Sequence, residues 1–233
     1  MKVMRLVMVV AIIAAVTIGM AIAQAPPPGQ GGAGAGAAPG GGQGGGGGRQ
    51  GGPGGGGRQG GGGRGGPVLS VTSTAWPDGA EIPMKYAFRG ENKSPAFEFH
   101  WFNGPNAAEQ PATVQSFAII FRDMENSTNR GTTDTLHWSV FNIPATAKGL
   151  PEGLPGGLQP DGTKPGPGIR GGENGSYFGP GAGQGPFHHY VFEFFALDTK
   201  LDLPSTATRA ELLAAMEGHV VGKAAYVGRF RTP

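Results

Sequence analysis

The chain has 233 residues, among them 47 glycines, 21 prolines and no cysteine. The missing cysteines exclude a disulfide scaffold, a thiolate metal site, a cysteine nucleophile and a lipid-modified N-terminal Cys. The formal charge of +2 is unevenly spread: residues 1–66 carry five basic groups and no acid, which leaves 13 basic against 16 acidic residues in 67–233 and does not support a nucleic-acid-binding domain.

Met1–Arg5 is short and positive, and Leu6–Ala23 is an apolar or small run ending in the small-x-small triplet Ala21-Ile22-Ala23. This predicts a signal peptide over 1–23, cut after Ala23, with an uncleaved anchor helix as the alternative. Either form puts the rest of the chain outside the cytoplasm, periplasmic or secreted. Residues 24–66 open with Gln-Ala-Pro-Pro-Pro and become Gly-rich; 29–66 hold 25 of the 47 glycines. With no apolar side chain larger than Ala or Pro, the tract cannot repay its ordering entropy and is predicted to be a disordered linker, a tether or cell-envelope spacer. Its Arg64-Gly65-Gly66 step is of a kind that can bind RNA, but export argues against that.

From Pro67 the composition changes, and 67–233 reads as one domain. Val68–Ser73 is β-rich and ends at the turn signal Trp76-Pro77-Asp78-Gly79. Ile82–Phe88 reads as a short extended piece. Ala96–Trp101 alternates Phe97, Phe99 and Trp101 against Glu98 and His100, the period of a half-buried strand. Ser116–Phe121 and His137–Ile143 read as buried strands, and His188–Leu197 as the longest. Between the last two, Ala145–Phe187 is a Gly/Pro-dense connection, long enough to be functional or mobile. Thr208-Arg209-Ala210-Glu211 is a capping box opening a helix with Leu212, Leu213 and Met216 as its apolar stripe and Gly218 as its stop. Ala224–Phe230 is a last strand. The fold expected is mostly β: an antiparallel β-sandwich with a peripheral C-terminal helix and a long Gly/Pro-rich loop.

The titratable groups gather at strand ends, where sites are commonly built. Asp123 and Glu125 follow Ile119-Ile120-Phe121. His137 opens one strand. His188 and Tyr190 open another, just after Tyr177-Phe178-Gly179-Pro180. Strand parity separates His188, Tyr190 and Phe192 from His189, Val191 and Glu193, so the two adjacent histidines cannot share a pocket on a regular strand. His100 reads as a surface residue, and Trp76, Trp101 and Trp138 as core or rim.

The order of segments resembles the phosphatidylethanolamine-binding protein family, in its bacterial Raf-kinase-inhibitor-like branch. The resemblance rests on Gly90-Glu91-Asn92-Lys93-Ser94-Pro95 before a strand ending in Trp101, and on Ser116-Phe117-Ala118 leading to Asp123-Met124-Glu125. It continues through His137-Trp138-Ser139-Val140-Phe141-Asn142-Ile143-Pro144, Tyr177-Phe178-Gly179-Pro180, His188-His189-Tyr190-Val191-Phe192 and the closing helix before Gly218-His219-Val220. What it implies is a β-sandwich with a small anion pocket at one end that takes phosphate-like groups, including phospholipid head groups. By motif match, Asp123 and Glu125 stand for the two acids of the family's Asp-Pro-Asp-x-Pro loop and His137 for its pocket histidine. His188 and Tyr190 stand for the histidine of Gly-x-His-Arg and the aromatic two residues on. Tyr177, Gly179 and Pro180 stand for the Gly-Tyr-x-Gly-Pro loop. Four departures stand out: Met124 and Ser127 replace two prolines, Glu125 is a methylene longer, Gly181-Ala182-Gly183 replaces a Pro-Pro wall, and His189 replaces an arginine.

An oxyanion needs donors. Gly-rich backbone and two imidazoles can supply them, while Asp123 is suited to accept from an imidazole N–H and fix its tautomer. The reading is a non-enzymatic binding protein without a cofactor, whose partner is a small phosphate-like anion or a phospholipid head group. The alternatives are an exported kinase- or protease-inhibitor-like regulator with a protein target, and a metal-dependent hydrolase using His137, His188 and Asp123 or Glu125. Neither HExxH nor Gly-x-Ser-x-Gly is present to support an enzyme.

Overall fold

The computed structural model describes residues 66–127, 130–169 and 174–233. The expected signal peptide and all but the last residue of the expected linker lie outside them. Among the described residues no helix is long and apolar enough to cross a membrane.

Among the described residues, nine strands and one α-helix follow in order: β1 (Val68–Thr72), β2 (Phe97–Asn103), β3 (Asn106–Ala107), β4 (Ser116–Ser127), β5 (Asp134–Pro144), β6 (Gly149–Leu150), β7 (Lys164–Pro165), β8 (His188–Leu197), α1 (Arg209–Met216) and β9 (Val220–Phe230). One sheet runs β1-β2-β3, with β6 also pairing β2; the other runs β7-β5-β4-β8-β9, and every strand pair is antiparallel. The antiparallel, mostly β architecture with one late helix is the one expected.

The alternation of β2 does what its period implies. Phe97, Phe99 and Trp101 are buried while Glu98 is exposed. Their rings meet the other sheet, with Phe97 centred 4.9 Å from both Phe192 and Phe194, and Phe99 4.7 Å from Phe117. Aromatic pairs at these spacings add to the area they bury, and they hold the two sheets face to face. β4 is different. Ser116–Phe121 is buried on both faces, because Phe117, Ile119 and Phe121 enter the core between the sheets while Ala118 and Ile120 join Phe141, Phe195, Leu212 and Met216 in a second core under α1. A strand covered on both sides reads as a continuous apolar run.

Three details differ from the expectation. Ile82–Phe88 is no strand: Pro83 leads into a 3₁₀ turn at Met84–Tyr86, and Ile82 pairs its N–H with the Arg229 carbonyl. The connection 145–187 is not structureless, since β6 adds to β2 and β7 adds to β5, tying it to both sheets. The helix has the expected capping box between Thr208 and Glu211, and Gly218 just beyond it has φ +81°; but Leu213 is exposed, so the buried stripe is Leu212 and Met216 alone.

An ion network ties α1 to the sheet. Asp134 bridges Arg122 (2.5 Å) on β4 and Arg209 at the helix start, while Arg122 also meets Glu193 (3.0 Å) and Glu193 meets Lys223 (2.9 Å). Burial alone would raise the Asp134 pKa, but the Arg209 hydrogen bond and charge, with Arg122 behind them, hold it below the usual 3.8. A carboxyl depressed in this way stabilises the fold fully above 3.8, and the contribution disappears as pH falls through the lower, folded value. Asp134→Asn should therefore lose about 3 kcal/mol at neutral pH by urea denaturation, with the difference from wild type shrinking in acid.

Candidate ligand-binding site

At one end of the larger sheet, residues far apart in the chain line a hollow of about 280 Å³, among them Asp123, Asn126, His137, Phe178, His188 and Tyr190. A larger hollow, about 540 Å³, lies beside β2 between residues 107–110 and 147–148, and holds none of these groups.

Asp123 is the base of the site. It sits on β4 directly opposite Tyr190 of β8, and only 2% of its surface is exposed. A carboxylate so deep must be satisfied. One oxygen accepts from the backbone N–H groups of Glu125 (3.0 Å) and Asn126 (3.1 Å), within the stretch where the β4–β5 register breaks between Asp123 and Ser127. The His188 Nδ1 reaches both oxygens, at 2.9 and 3.1 Å. His188 thus enters the hollow on the same strand face as Tyr190, and His189 turns outward as parity requires. Burial first, then the Asp123 charge and hydrogen bond, push the Tyr190 phenol well up, keeping it a neutral hydroxyl.

His137 gets there by a local irregularity. The β4–β5 register runs Phe121↔Trp138 and then Arg122↔Leu136, so His137 is the extra residue of a β-bulge. It is the fourth residue of β5, not its start. The bulge lets neighbouring His137 and Trp138 both be buried. His137 Nδ1 donates to the Phe178 carbonyl at 2.9 Å, which fixes its tautomer. Burial pulls its pKa below the usual 6.5, against the opposing pull of the Phe178 carbonyl and the Asp123 charge. Its ring stands edge-on to Tyr190, centres 5.3 Å apart.

Tyr177, Gly179, Pro180 and Glu125, expected in the site, do not line it. Tyr177 is buried in the core, stacked on Phe121 at 5.6 Å, with its hydroxyl donating to the Tyr86 carbonyl. Gly179 passes so close to the Tyr86–Ala87 backbone that a Cβ would lie 2.0 Å from the Tyr86 oxygen. The Pro180 carbonyl accepts from Phe88 N–H at 2.9 Å. These residues brace the loop that holds Phe178 in place. Glu125 is engaged with His189: one oxygen meets its ring Nδ1 and the other its backbone N–H, both at 2.7 Å. The glycine wall also differs from the expectation of free backbone donors. The N–H groups of Gly181 (3.3 Å) and Ala182 (3.2 Å) are directed to the Tyr190 hydroxyl.

Asn92 was not singled out from the sequence. At φ +54° it takes the left-handed conformation that Asn tolerates better than most residues. Its amide donates to the Tyr177 carbonyl (3.3 Å) and accepts from Gly179 N–H (2.9 Å), clamping the peptide that carries the Phe178 carbonyl. Asn126, Ile169 and Phe178 line the hollow as well, though the sequence reading assigned none of them to the site. Only Asn126, three residues past an acid in a turn, carried a local signal.

The family model for phosphatidylethanolamine-binding protein matches residues 72–231. A UPF0098 protein of Methanothermobacter thermautotrophicus is 37% identical over 164 residues, covering 70% of this chain and 99% of the relative. A UPF0098 protein of Pyrococcus horikoshii is 34% identical over 154 residues, covering 64% and 70%. Among solved structures, a phosphatidylethanolamine-binding protein homologue of Chlamydia trachomatis superposes with a TM-score of 0.59 at 26% identity, covering 71% of this chain and 99% of that one. The E. coli protein YbcL gives 0.58 at 24% identity with the same coverage, a likeness of fold.

If Asn92 sets the pocket through Phe178, Asn92→Ala should cost about 2 kcal/mol of stability and release His137 from its single tautomer, read from the ¹⁵N shifts of the ring. Asn92→Asp keeps the acceptor for Gly179 N–H and should restore part of both.

Proposed function

The chain belongs to the phosphatidylethanolamine-binding protein family, and we propose that its polar hollow is a non-enzymatic binding site for a small oxyanion, a phosphate-like group or a phospholipid head group. The observation that carries this reading is the convergence of His137 and His188, from separate strands, on one hollow of about 280 Å³ with each Nδ1 already committed. The volume fits a tetrahedral head with room for a short substituent. Imidazolium in such a site supplies both charge and an N–H donor. Asp123 accepts from the His188 Nδ1 and fixes which ring nitrogen is left for a guest. Export by the N-terminal leader belongs to the same proposal and would place the ligand in the cell envelope or outside it.

A metal-dependent hydrolase fits the geometry less well. The three groups among the described residues able to enclose a cation are Asp123, Glu125 and His188, with ligand atoms within 4.8 Å of one another. His137 is not among them. Glu125 has both oxygens engaged by His189, and Asp123 already accepts from two backbone N–H groups.

Calorimetric titration with inorganic phosphate tests the proposal. Binding should strengthen as pH falls from about 8 to 6; His188→Ala should weaken it at least about tenfold, whereas Glu125→Gln should leave it within about twofold. Absence of heat across that range would refute the reading. The same site predicts a stability signature. Because burial lowers the His137 pKa, the unfolded chain takes up that proton first as pH drops below 6.5, so the unliganded protein loses stability there until the folded value is reached. Phosphate should recover part of the loss in Tm, and His137→Asn should flatten it.

A further inference from the structure

The kind of oxyanion follows from where the protons sit, an inference that rests on the oxyanion reading above. The Phe178 carbonyl can only accept, so the His137 proton is on Nδ1. The Asp123 carboxylate already accepts two backbone N–H bonds, so the His188 Nδ1 is the donor there as well. Each ring has therefore spent its Nδ1 proton on the protein. The nitrogen left for a guest is Nε2, which in a neutral ring is a lone pair. Of the other described groups around the hollow, only the Asn126 amide and the Gly183 N–H can donate, and neither caps an imidazole Nε2. Asp123 is a third acceptor. Gly181 and Ala182 give their N–H groups to the Tyr190 hydroxyl. Asn126 on β4 offers an amide, and Ile169 and Phe178 add apolar wall.

The other charged groups nearby are engaged with one another or with rings. Glu125 and His189 pair with each other at the surface. Arg229 and Arg231 stack on Phe187, 4.9 and 4.5 Å from its centre, and neither lines the hollow. The titratable groups close to the two imidazoles are thus Asp123 and Glu125 from β4, the latter within 4.8 Å of His188, with Tyr190 from β8 and each other. A fully deprotonated oxyanion placed among them sets lone pairs against lone pairs.

We propose that the pocket selects oxyanions that carry their own acidic proton, inorganic hydrogen phosphate and phosphomonoesters in their hydrogen form, over aprotic oxyanions such as sulfate and over phosphodiesters. Each P–OH of the guest donates to one bare Nε2, so dihydrogen phosphate satisfies both rings and monohydrogen phosphate satisfies one. Sulfate or a diester brings no proton, so its binding must draw from the medium one proton more than monohydrogen phosphate does. Inorganic phosphate keeps a P–OH throughout the neutral range, whereas a monoester regains one only towards about pH 6. The order expected near neutrality is phosphate, then monoester, then diester and sulfate.

The experiment is calorimetry on the full chain with phosphate, methyl phosphate, dimethyl phosphate and sulfate, at about pH 7.5 and about pH 5.5, in two buffers of different ionisation enthalpy to count protons. Phosphate should bind at least about tenfold tighter than sulfate or dimethyl phosphate at the higher pH. The gap should narrow at the lower pH, and at the higher pH sulfate binding should consume about one proton more than phosphate binding. Dimethyl phosphate stands for a lipid diester head group and methyl phosphate for a free monoester, so the two sources separate within the series. Equal affinities for phosphate and sulfate at about pH 7.5, with both binding, would overturn the selection while sparing the oxyanion site. Failure of all four at both pH values would remove the site itself and the selection with it.

Discussion

The site depends on one buried carboxylate. Asp123 is almost wholly withdrawn from water, and an isolated charge there would cost far more than a small domain can spare. Its solution is local. Two consecutive backbone N–H groups fold back onto one oxygen, and the His188 ring supplies the third donor. Satisfying Asp123 therefore determines where β4 ends as a regular strand, which edge of His188 faces inward and which nitrogen of that ring remains for a guest. Tyr190, directly opposite on β8, is kept protonated by its burial and then by the same charge, and its hydroxyl anchors the glycine wall.

The second imidazole is held by a longer chain of contacts. Asn92 clamps Tyr177 and Gly179; their peptide presents the Phe178 carbonyl; that carbonyl holds His137 Nδ1. Two unrelated devices, a buried acid and a clamped loop, thus reach the same result. Each takes the Nδ1 proton and leaves Nε2. A pocket built with a single fixed imidazole could rotate or re-tautomerise to suit a guest, but here both rings are committed before any guest arrives. Preorganisation of this kind cuts the cost of ordering on binding and sharpens discrimination between guests that differ in one proton.

Much of the frame was legible because it depends on period and caps. The Phe97, Phe99, Trp101 alternation, the span His188–Leu197 and the Thr208–Glu211 box each express a local physical rule, and the structure has each of them. The pocket's four central residues, Asp123, His137, His188 and Tyr190, could be nominated from family motifs, and the fold brings them together. What the chain did not disclose is long-range. The bulge that turns His137 inward is a property of register against β4, not of the residues around 137. The scaffolding roles of Tyr177, Gly179 and Pro180 depend on the backbone of 86–92, some ninety positions away. A motif reports that a loop belongs near a site, but not whether its side chains line that site or hold it up. The exposure of Leu213 is of the same kind, since only the path of α1 over the sheet decides which flank of its apolar stripe stays wet.

The departures from the family pattern are easier to understand once it is clear which of them touch one another. Glu125, longer by a methylene, and His189, in place of an arginine, are partners: the carboxylate takes both the ring and the backbone N–H of His189. Both side chains are exposed, so the ion pair itself is worth little. The backbone bond matters more, because it closes the start of β8 one residue from His188. The two proline replacements lie on the same turn, where the Asp123 carboxylate takes the N–H groups of Glu125 and Asn126 and so supplies by hydrogen bonding the rigidity that proline rings would supply covalently. Two of the four departures therefore fall on one turn and a third, His189, meets it from β8, where it holds the Glu125 carboxylate that comes within 4.8 Å of His188. The fourth, Gly181-Ala182-Gly183, is the one that borders the guest. Its backbone is held from behind by the Tyr190 hydroxyl and by Thr232, whose N–H and hydroxyl both donate to the Ala182 carbonyl. A wall of small residues pinned at its backbone can stay in place while offering little side-chain bulk. That arrangement puts the selectivity of the pocket on its proton pattern rather than on the shape of its mouth.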